Sequence, residues 1–417
     1  MPQDKTAQSP RYPWLLLVML CGAYFLHQAD RALFGVVLPL IKTDLQLSDA
    51  QLGAIATVLF AVITVLVPLA GPLADHVSRK ALVVGSLLFW SLSTMLTGMA
   101  TGLLSLTILR GVATGGGEAL YTPAAYSLIG SHHAGHKGMA LSIHQMALYA
   151  GLIASGAAGG YVAQAYGWRA AFYVFGGAGV LWGLYMAVKL KPDPRYGHAG
   201  PALAATFLSV GRFFMSPIPL LLSTAFGSYM LMTNAYIVWA PELFREKFGL
   251  GVAAAGAISM LVHHGAAVVG VLFGGWVSDR FARRAPASRI LLQCIALGAA
   301  IPFILLMARA DALVLSCAAV AAFGLFRGIY DSNIQASLFE FVPEKERGTA
   351  WSLMVLVGFL IGSSSPWITG LLKQQMNSSG ALASIFAGYC AVYGVGCLLL
   401  LAAWQLARRR LPAPQLS

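Results

Sequence analysis

Gly71-Pro72-Leu73-Ala74-Asp75-His76-Val77-Ser78-Arg79-Lys80 is a short charged turn set between two long apolar runs. It returns 204 positions later as Gly275-Trp276-Val277-Ser278-Asp279-Arg280-Phe281-Ala282-Arg283-Arg284. Both copies carry Gly at the start, Asp four residues on, Arg eight on and a second cation nine on. One such match is weak. Two, each placed after the second apolar run of its half, point to a duplicated membrane protein.

Composition agrees with that reading. Of 417 residues, 58% are hydrophobic and only 10% charged, where a soluble domain carries about 25% charged residues. Apolar runs of roughly 20 residues recur along the chain, each enough to cross a hydrocarbon core of about 30 Å. Lipid offers the backbone no partners, so these runs are helices. The net charge of +12 gathers at helix ends and on alternate loops, with no aromatic-interleaved basic stripe. The lipid bilayer is therefore the expected partner, and nucleic acid is excluded. Cys21, Cys294, Cys317, Cys390 and Cys397 lie inside apolar runs without a paired framework, which argues against disulfides and metal clusters. The run after the polar Met1-to-Pro13 stretch holds Asp30-Arg31 and no small-residue cleavage site, so it reads as a spanning helix and not a signal peptide.

The expected fold is an all-α membrane protein of about twelve transmembrane helices in two pseudo-symmetric six-helix bundles. The first half runs Tyr12–Ile41, Ala50–Ala74, Ala81–Ala100, Leu103–Gly130, Gly138–Tyr166 and Trp168–Leu190. The second runs Ile218–Leu243, Val252–Val277, Ser288–Ala308, Ala312–Val342, Thr349–Lys373 and Ala381–Leu406. This divides the chain into 1–190, a linker 191–212 with Pro192, Pro194 and Pro201, and 213–417. Eighteen cations fall on the linker's side of the membrane, six on the other and three inside helices. The heavier side is expected to be cytoplasmic, with both termini on it, in a multi-pass protein of the cell membrane. The duplication extends further: Arg110-Gly111-Val112 answers Arg327-Gly328-Ile329, and Lys137-Gly138-Met139-Ala140 answers Arg347-Gly348-Thr349-Ala350. Both halves share one orientation, as in a parallel-repeat transporter.

On these residues the chain resembles the major facilitator superfamily over nearly its whole length. The resemblance implies two bundles rocking about a central cavity, with helices 5 and 8 meeting between them. It also implies that Gly71, Asp75, Arg79, Lys80, Gly275, Asp279, Arg283 and Arg284 form gating loops. Tyr24, Asp30-Arg31 and Pro39, with Arg110 and Gly117-Glu118-Ala119, look like signatures of two families within it. These are the anion:cation symporters of sugar acids and the Spinster-like lipid transporters. Here Tyr24 stands six residues before the Asp where two is usual, and Arg110 eight before the Glu where seven is usual. The Gly115-Gly116-Gly117 run is expected to absorb the extra residue as a helix irregularity.

Ionisable groups inside spans cost roughly 2.5–3.5 kcal/mol each at a helix centre, which makes them functional candidates. Arg110 is expected to hold a carboxylate, since guanidinium stays charged and binds in a bidentate fork. Arg327, at the pseudo-symmetric position, places a second cation opposite, four residues before Asp331. Arg31, His27, Tyr121, Gln145, Tyr149, Asn234 and Asn333 complete the expected binding set. Asp30, Glu118 and Asp331 are the expected proton carriers, because burial and neighbouring cations shift carboxyl pKa in opposite directions. The alternative for Glu118 is a lock to Arg31. Gly151, Ser155 and Gly159, and Gly270 with Gly274, form small-residue faces for close helix contact.

No Gly-x-x-x-x-Gly-Lys-Ser/Thr loop, HExxH or Gly-x-Ser-x-Gly occurs, so neither an ATPase nor a hydrolase is expected, and no cofactor. The expected activity is proton-coupled symport of a small organic anion such as a sugar acid, by alternating access in a monomer. The alternative is Spinster-like transport of lysophospholipid or another amphiphile.

Overall fold

The computed structural model describes residues 11–133, 136–192, 203–282, 285 and 287–410, and for 68–76, 137, 203–207, 282, 345 and 410 only the course of the backbone. Among the described residues are twelve long helices: α1 (Tyr12–Leu45), α2 (Asp49–His76), α3 (Arg79–Thr97), α4 (103–132), α5 (137–166) and α6 (Trp168–Lys189). After the linker come α7 (Pro217–Phe248), α8 (252–282), α9 (Ser288–Arg309), α10 (313–339), α11 (347–376) and α12 (Ala381–Arg410). Ten of them are individually long and apolar enough to span a membrane. α7 qualifies jointly with the end of the linker helix Leu203–Met215, from which it bends by 79°. In α4 the Gly115-Gly116-Gly117 run, Arg110 and Glu118 dilute the apolar character. Val18, Leu104, Leu181, Val188, Val314 and Leu398 are each more than half exposed, the pattern of an apolar belt facing lipid.

Among the described residues three π-helical turns interrupt the helices, at Thr107–Ala113 in α4, Ser155–Gly159 in α5 and Ile258–Val262 in α8. A π turn takes in one extra residue. The residue added between Arg110 and Glu118 is absorbed there, at Arg110 itself, and not in the glycine run, which is regular α-helix. Gly167 alone joins α5 to α6 at φ 86°, a conformation that favours glycine.

The packing repeats. In the first bundle α1 lies on α5, α2 on α4 and α3 on α6; in the second α7 lies on α11, α8 on α10 and α9 on α12. The backbone N–H of Lys191 donates to Tyr12 Oη at 2.9 Å, so the start of α1 marks the linker end of the molecule. The bundles meet mainly at the opposite end and at mid-depth, through α1–α7, α2–α11 and α5–α8. Glycines allow the approach: Gly35 abuts the Ile237–Val238 backbone, Gly53 the Pro366–Trp367 backbone, and Gly156 the carbonyl of Gly256.

The small-residue faces read from the sequence sit elsewhere. Gly151 and Gly159 pack on α1, at Phe25–Ala29 and Leu33, and Gly270 and Gly274 pack on α10. The α5–α8 crossing uses Gly156, Gly160 and Gly256 instead. The π turn at Ser155–Gly159 rotates this face relative to a straight four-residue spacing.

Candidate functional site

The first polar cluster lies between α1 and α4. Arg31 donates to Glu118 Oε2 through Nε (3.2 Å) and Nη2 (2.9 Å). Glu118 is buried, while 14% of the Arg31 side chain is exposed. His27 completes the group. Gln28 Nε2 donates to its Nδ1 at 2.8 Å, and its Nε2 faces Glu118 Oε2 at 3.5 Å. Arg110 is 1% exposed and donates Nη2 to main-chain carbonyls of α1, Asp30 O at 2.6 Å and Arg31 O at 3.2 Å. The carboxyl of Asp30 accepts from Thr94 at 3.3 Å. Its Oδ1, with Nε and Nη1 of Arg110, is buried without a hydrogen-bond partner. Arg31 lies over the Phe60 ring (5.8 Å), and Phe60 touches Phe359 of the second bundle (6.1 Å). Of the two cations, Arg31 is thus the one beside the bundle interface.

The second cluster surrounds Arg327 on α10. Its Nε donates to Tyr229 Oη at 2.9 Å, and its Nη1 lies 3.1 Å from both His263 Nε2 and His264 Nε2. His264 Nδ1 donates to Met260 O at 2.9 Å, leaving Nε2 as an acceptor of the neutral ring. Asp331 Oδ2 stands 3.6 Å from Arg327 Nε and accepts from Tyr149 Oη of α5 at 3.0 Å. That last bond crosses between bundles.

Other expected binding residues are held within one bundle. Tyr121 donates to Leu20 O (2.7 Å) and contacts His144 Nε2 at 3.2 Å. Asn234 ties α7 to Gly362 O of α11 at 3.1 Å. Asn333 donates to Ile329 O (2.9 Å) at the break in α10. Gln145 is half-buried on α5.

The repeated turns lie at the linker end. In the second copy Arg289 of α9 joins Asp279 (2.8 Å), Ser278 (2.7 Å) and Glu340 (2.9 Å). Burial pushes the Glu340 carboxyl up to about 7 although Arg289 beside it pulls down. Its Oε2 is buried without a partner. Arg79 opens α3, Lys80 follows half-buried, and the position of Gly275 is open. The side chain of Asp75 and the surroundings of Gly71 lie outside the described residues, as do Arg283 and Arg284.

Sequence reasoning missed a third cluster at the end away from the linker, where Lys42, Asp49, Glu242, Arg245, Glu246 and Lys373 meet. α7 runs five residues past its expected end and α1 four. Of the charges that meet there, Asp49, Glu242 and Lys373 are buried between helices.

The family described as Major Facilitator Superfamily matches residues 20–366 and 266–415. The chain belongs to the Major Facilitator Superfamily. Among curated superfamily relatives, an MFS-type efflux pump of Mycolicibacterium smegmatis is 28% identical over 95% of this chain and 91% of its own. Protein spinster homolog 1 of Mus musculus is 29% identical over 90% and 76%. A probable sulfoacetate transporter of Cupriavidus necator is 27% identical over 92% of both. The crystal structure of a bacterial homologue of the human lysosomal transporter Spinster, inward-facing and unoccupied, superposes with a TM-score of 0.85 over 98% of this chain and 100% of that one, at 21% identity. That likeness establishes the fold. The chain is a transporter of this superfamily and not an enzyme.

Proposed function

We propose that the protein is a proton-coupled symporter of a small organic anion, a sugar acid or a short sulfonate, in which Arg31 and Arg327 hold the anionic group. The observation that carries this reading is the Arg31–Glu118 pair, 2.9 Å apart at the bundle interface. A carboxylate or sulfonate competes with Glu118 for the Arg31 fork. Protonating Glu118 removes the competitor, so proton and anion enter together. Arg110, fixed to the carbonyls of Asp30 and Arg31, keeps α1 in register, and Asp30 and Asp331 are the further proton carriers. The relative from Cupriavidus necator supports the anionic cargo. We place the linker end in the cytoplasm on the cation count, with the bundles at 1–190 and 213–417 and the turns at Asp75 and Asp279 as gates of a monomer in the cell membrane.

The similarity to spinster homolog 1 over 90% of the chain supports a second reading, transport of an amphiphile. Uptake into proteoliposomes separates the two. The anion reading expects an inward proton gradient to drive accumulation of sulfoacetate or a hexuronate. Glu118→Gln should abolish accumulation and retain downhill exchange. Gradient-independent uptake, or stabilisation by lysolipids and by no anion, contradicts the anion reading.

A further inference from the structure

At the end away from the linker, six charged groups form one network across the bundle boundary. Lys42 Nζ lies 2.8 and 2.7 Å from the two oxygens of Asp49, which opens α2. Lys373 of α11, with 7% of its side chain exposed, lies 3.5 Å from the same carboxylate. It also lies 3.4 Å from Glu242 and 2.8 Å from Glu246, both on α7. Arg245 grips Glu242 through Nε (2.7 Å) and Nη2 (2.9 Å). The bundle boundary cuts this network at one place, Lys373 to Asp49, its longest short-range contact. Each side of the cut is neutral by itself: Lys42 with Asp49, and Lys373 and Arg245 with Glu242 and Glu246. An open pocket of about 570 Å³ lined by Lys42, Glu242, Arg245 and Glu246 reaches the network.

We infer that Asp49 is a shared carboxylate that latches the two bundles through Lys373 and stays with Lys42 alone when they part. Parting a buried ion pair ordinarily strands a charge, and a stranded buried charge is costly. Here each bundle carries the replacement partner with it, so the far end opens without stranding one. Lys373 supplies the hold, Lys42 the release, and Asp49 the surface they compete for. The backbone N–H of Ala50, donating to Gln374 Oε1 at 3.4 Å, and that of Trp367, donating to Thr57 Oγ1 at 3.1 Å, break in the same movement. These residues set the rate of alternating access and do not select cargo.

The two members of the 2.7 Å Lys42–Asp49 pair therefore have opposite effects, which a merely structural ion pair does not allow. The test is amide hydrogen exchange of the full chain in nanodiscs, read over 49–60 and 365–376, without substrate. Asp49→Asn removes the latch and raises exchange there. Lys42→Met leaves Asp49 dependent on Lys373 and lowers it by at least about tenfold. Lys42→Arg restores the wild-type rate, and the double variant behaves as Asp49→Asn. Changes of the same sign in both single variants, or none in either, overturn the proposal; so does general loss of protection in Lys42→Met with Lys42→Arg unable to restore it. The proposal rests on rocking bundles alone, so its failure leaves the anion reading standing, and failed anion uptake leaves the latch untouched.

Discussion

Arg110 donates to the carbonyls of Asp30 and Arg31, whereas Arg31 donates to a carboxylate. Read from the sequence, Arg110 stands out as the clamp because it is deep and has a pseudo-symmetric mate in Arg327. Spacing along a helix gives depth but not whether a fork meets a side chain or a main-chain carbonyl. On the proposed reading Arg31→Ala raises the apparent KM for the anion by about 10- to 100-fold, the worth of a charge-assisted bond of ~1.5–3 kcal/mol. Arg110→Ala instead lowers the maximal rate with KM nearly unchanged, since it loses register and not contact. Initial-rate transport over a range of anion concentrations distinguishes the two. At the linker end, Glu340 supplies a pH dependence. Its carboxyl is raised to about 7 by burial, so the native state favours the protonated form. Its stabilising effect is full below the ordinary glutamate range and is lost as pH rises through about 7. Thermal unfolding of Glu340→Gln against wild type is expected to shift in favour of the variant between pH 5 and 8; a constant difference would remove Glu340 as the titrating group.

Among the helices, the twelve apolar runs and their order are legible because each must be long enough for the bilayer and bounded by charge. Their ends are less so. α1 and α7 carry charged residues past the point where hydropathy falls, and hydropathy does not show that Asp49 and Glu242, which meet there, are both buried. The extra residue between Arg110 and Glu118 is visible as spacing, yet its location in the Thr107–Ala113 π turn depends on backbone hydrogen bonds that no residue type marks. The helix crossings follow the same pattern: small residues announce close approach without naming the neighbour. A Cβ on Gly156 would collide with the Gly256 carbonyl, whereas one on Gly177 meets nothing within 4 Å. Gly156→Val should cost about 1–3 kcal/mol by overpacking, and Gly177→Ala should be neutral, measured by thermal unfolding in one detergent.

For the molecule as a whole, two copies of a ten-residue turn predict duplication, and the structure repeats it in packing: α1–α5, α2–α4 and α3–α6 recur as α7–α11, α8–α10 and α9–α12. What differs between the halves is chemistry. The first bundle places a cation and an acid in direct contact, Arg31 and Glu118, with His27 beside them. The second surrounds Arg327 with Tyr229, His263 and His264, sets Asp331 3.6 Å from it, and joins that carboxylate across the boundary to Tyr149. On the proposed reading, the exchange of Glu118 for substrate falls to the first bundle and a second anion contact, Arg327, to the other. The most direct test is calorimetry of anion binding in buffers of different ionisation enthalpy, on wild type and Glu118→Gln. Binding to the wild type is expected to take up about one proton and binding to the variant none. Proton uptake unchanged by Glu118→Gln, or absent from both, would contradict the exchange of Glu118 for substrate on Arg31.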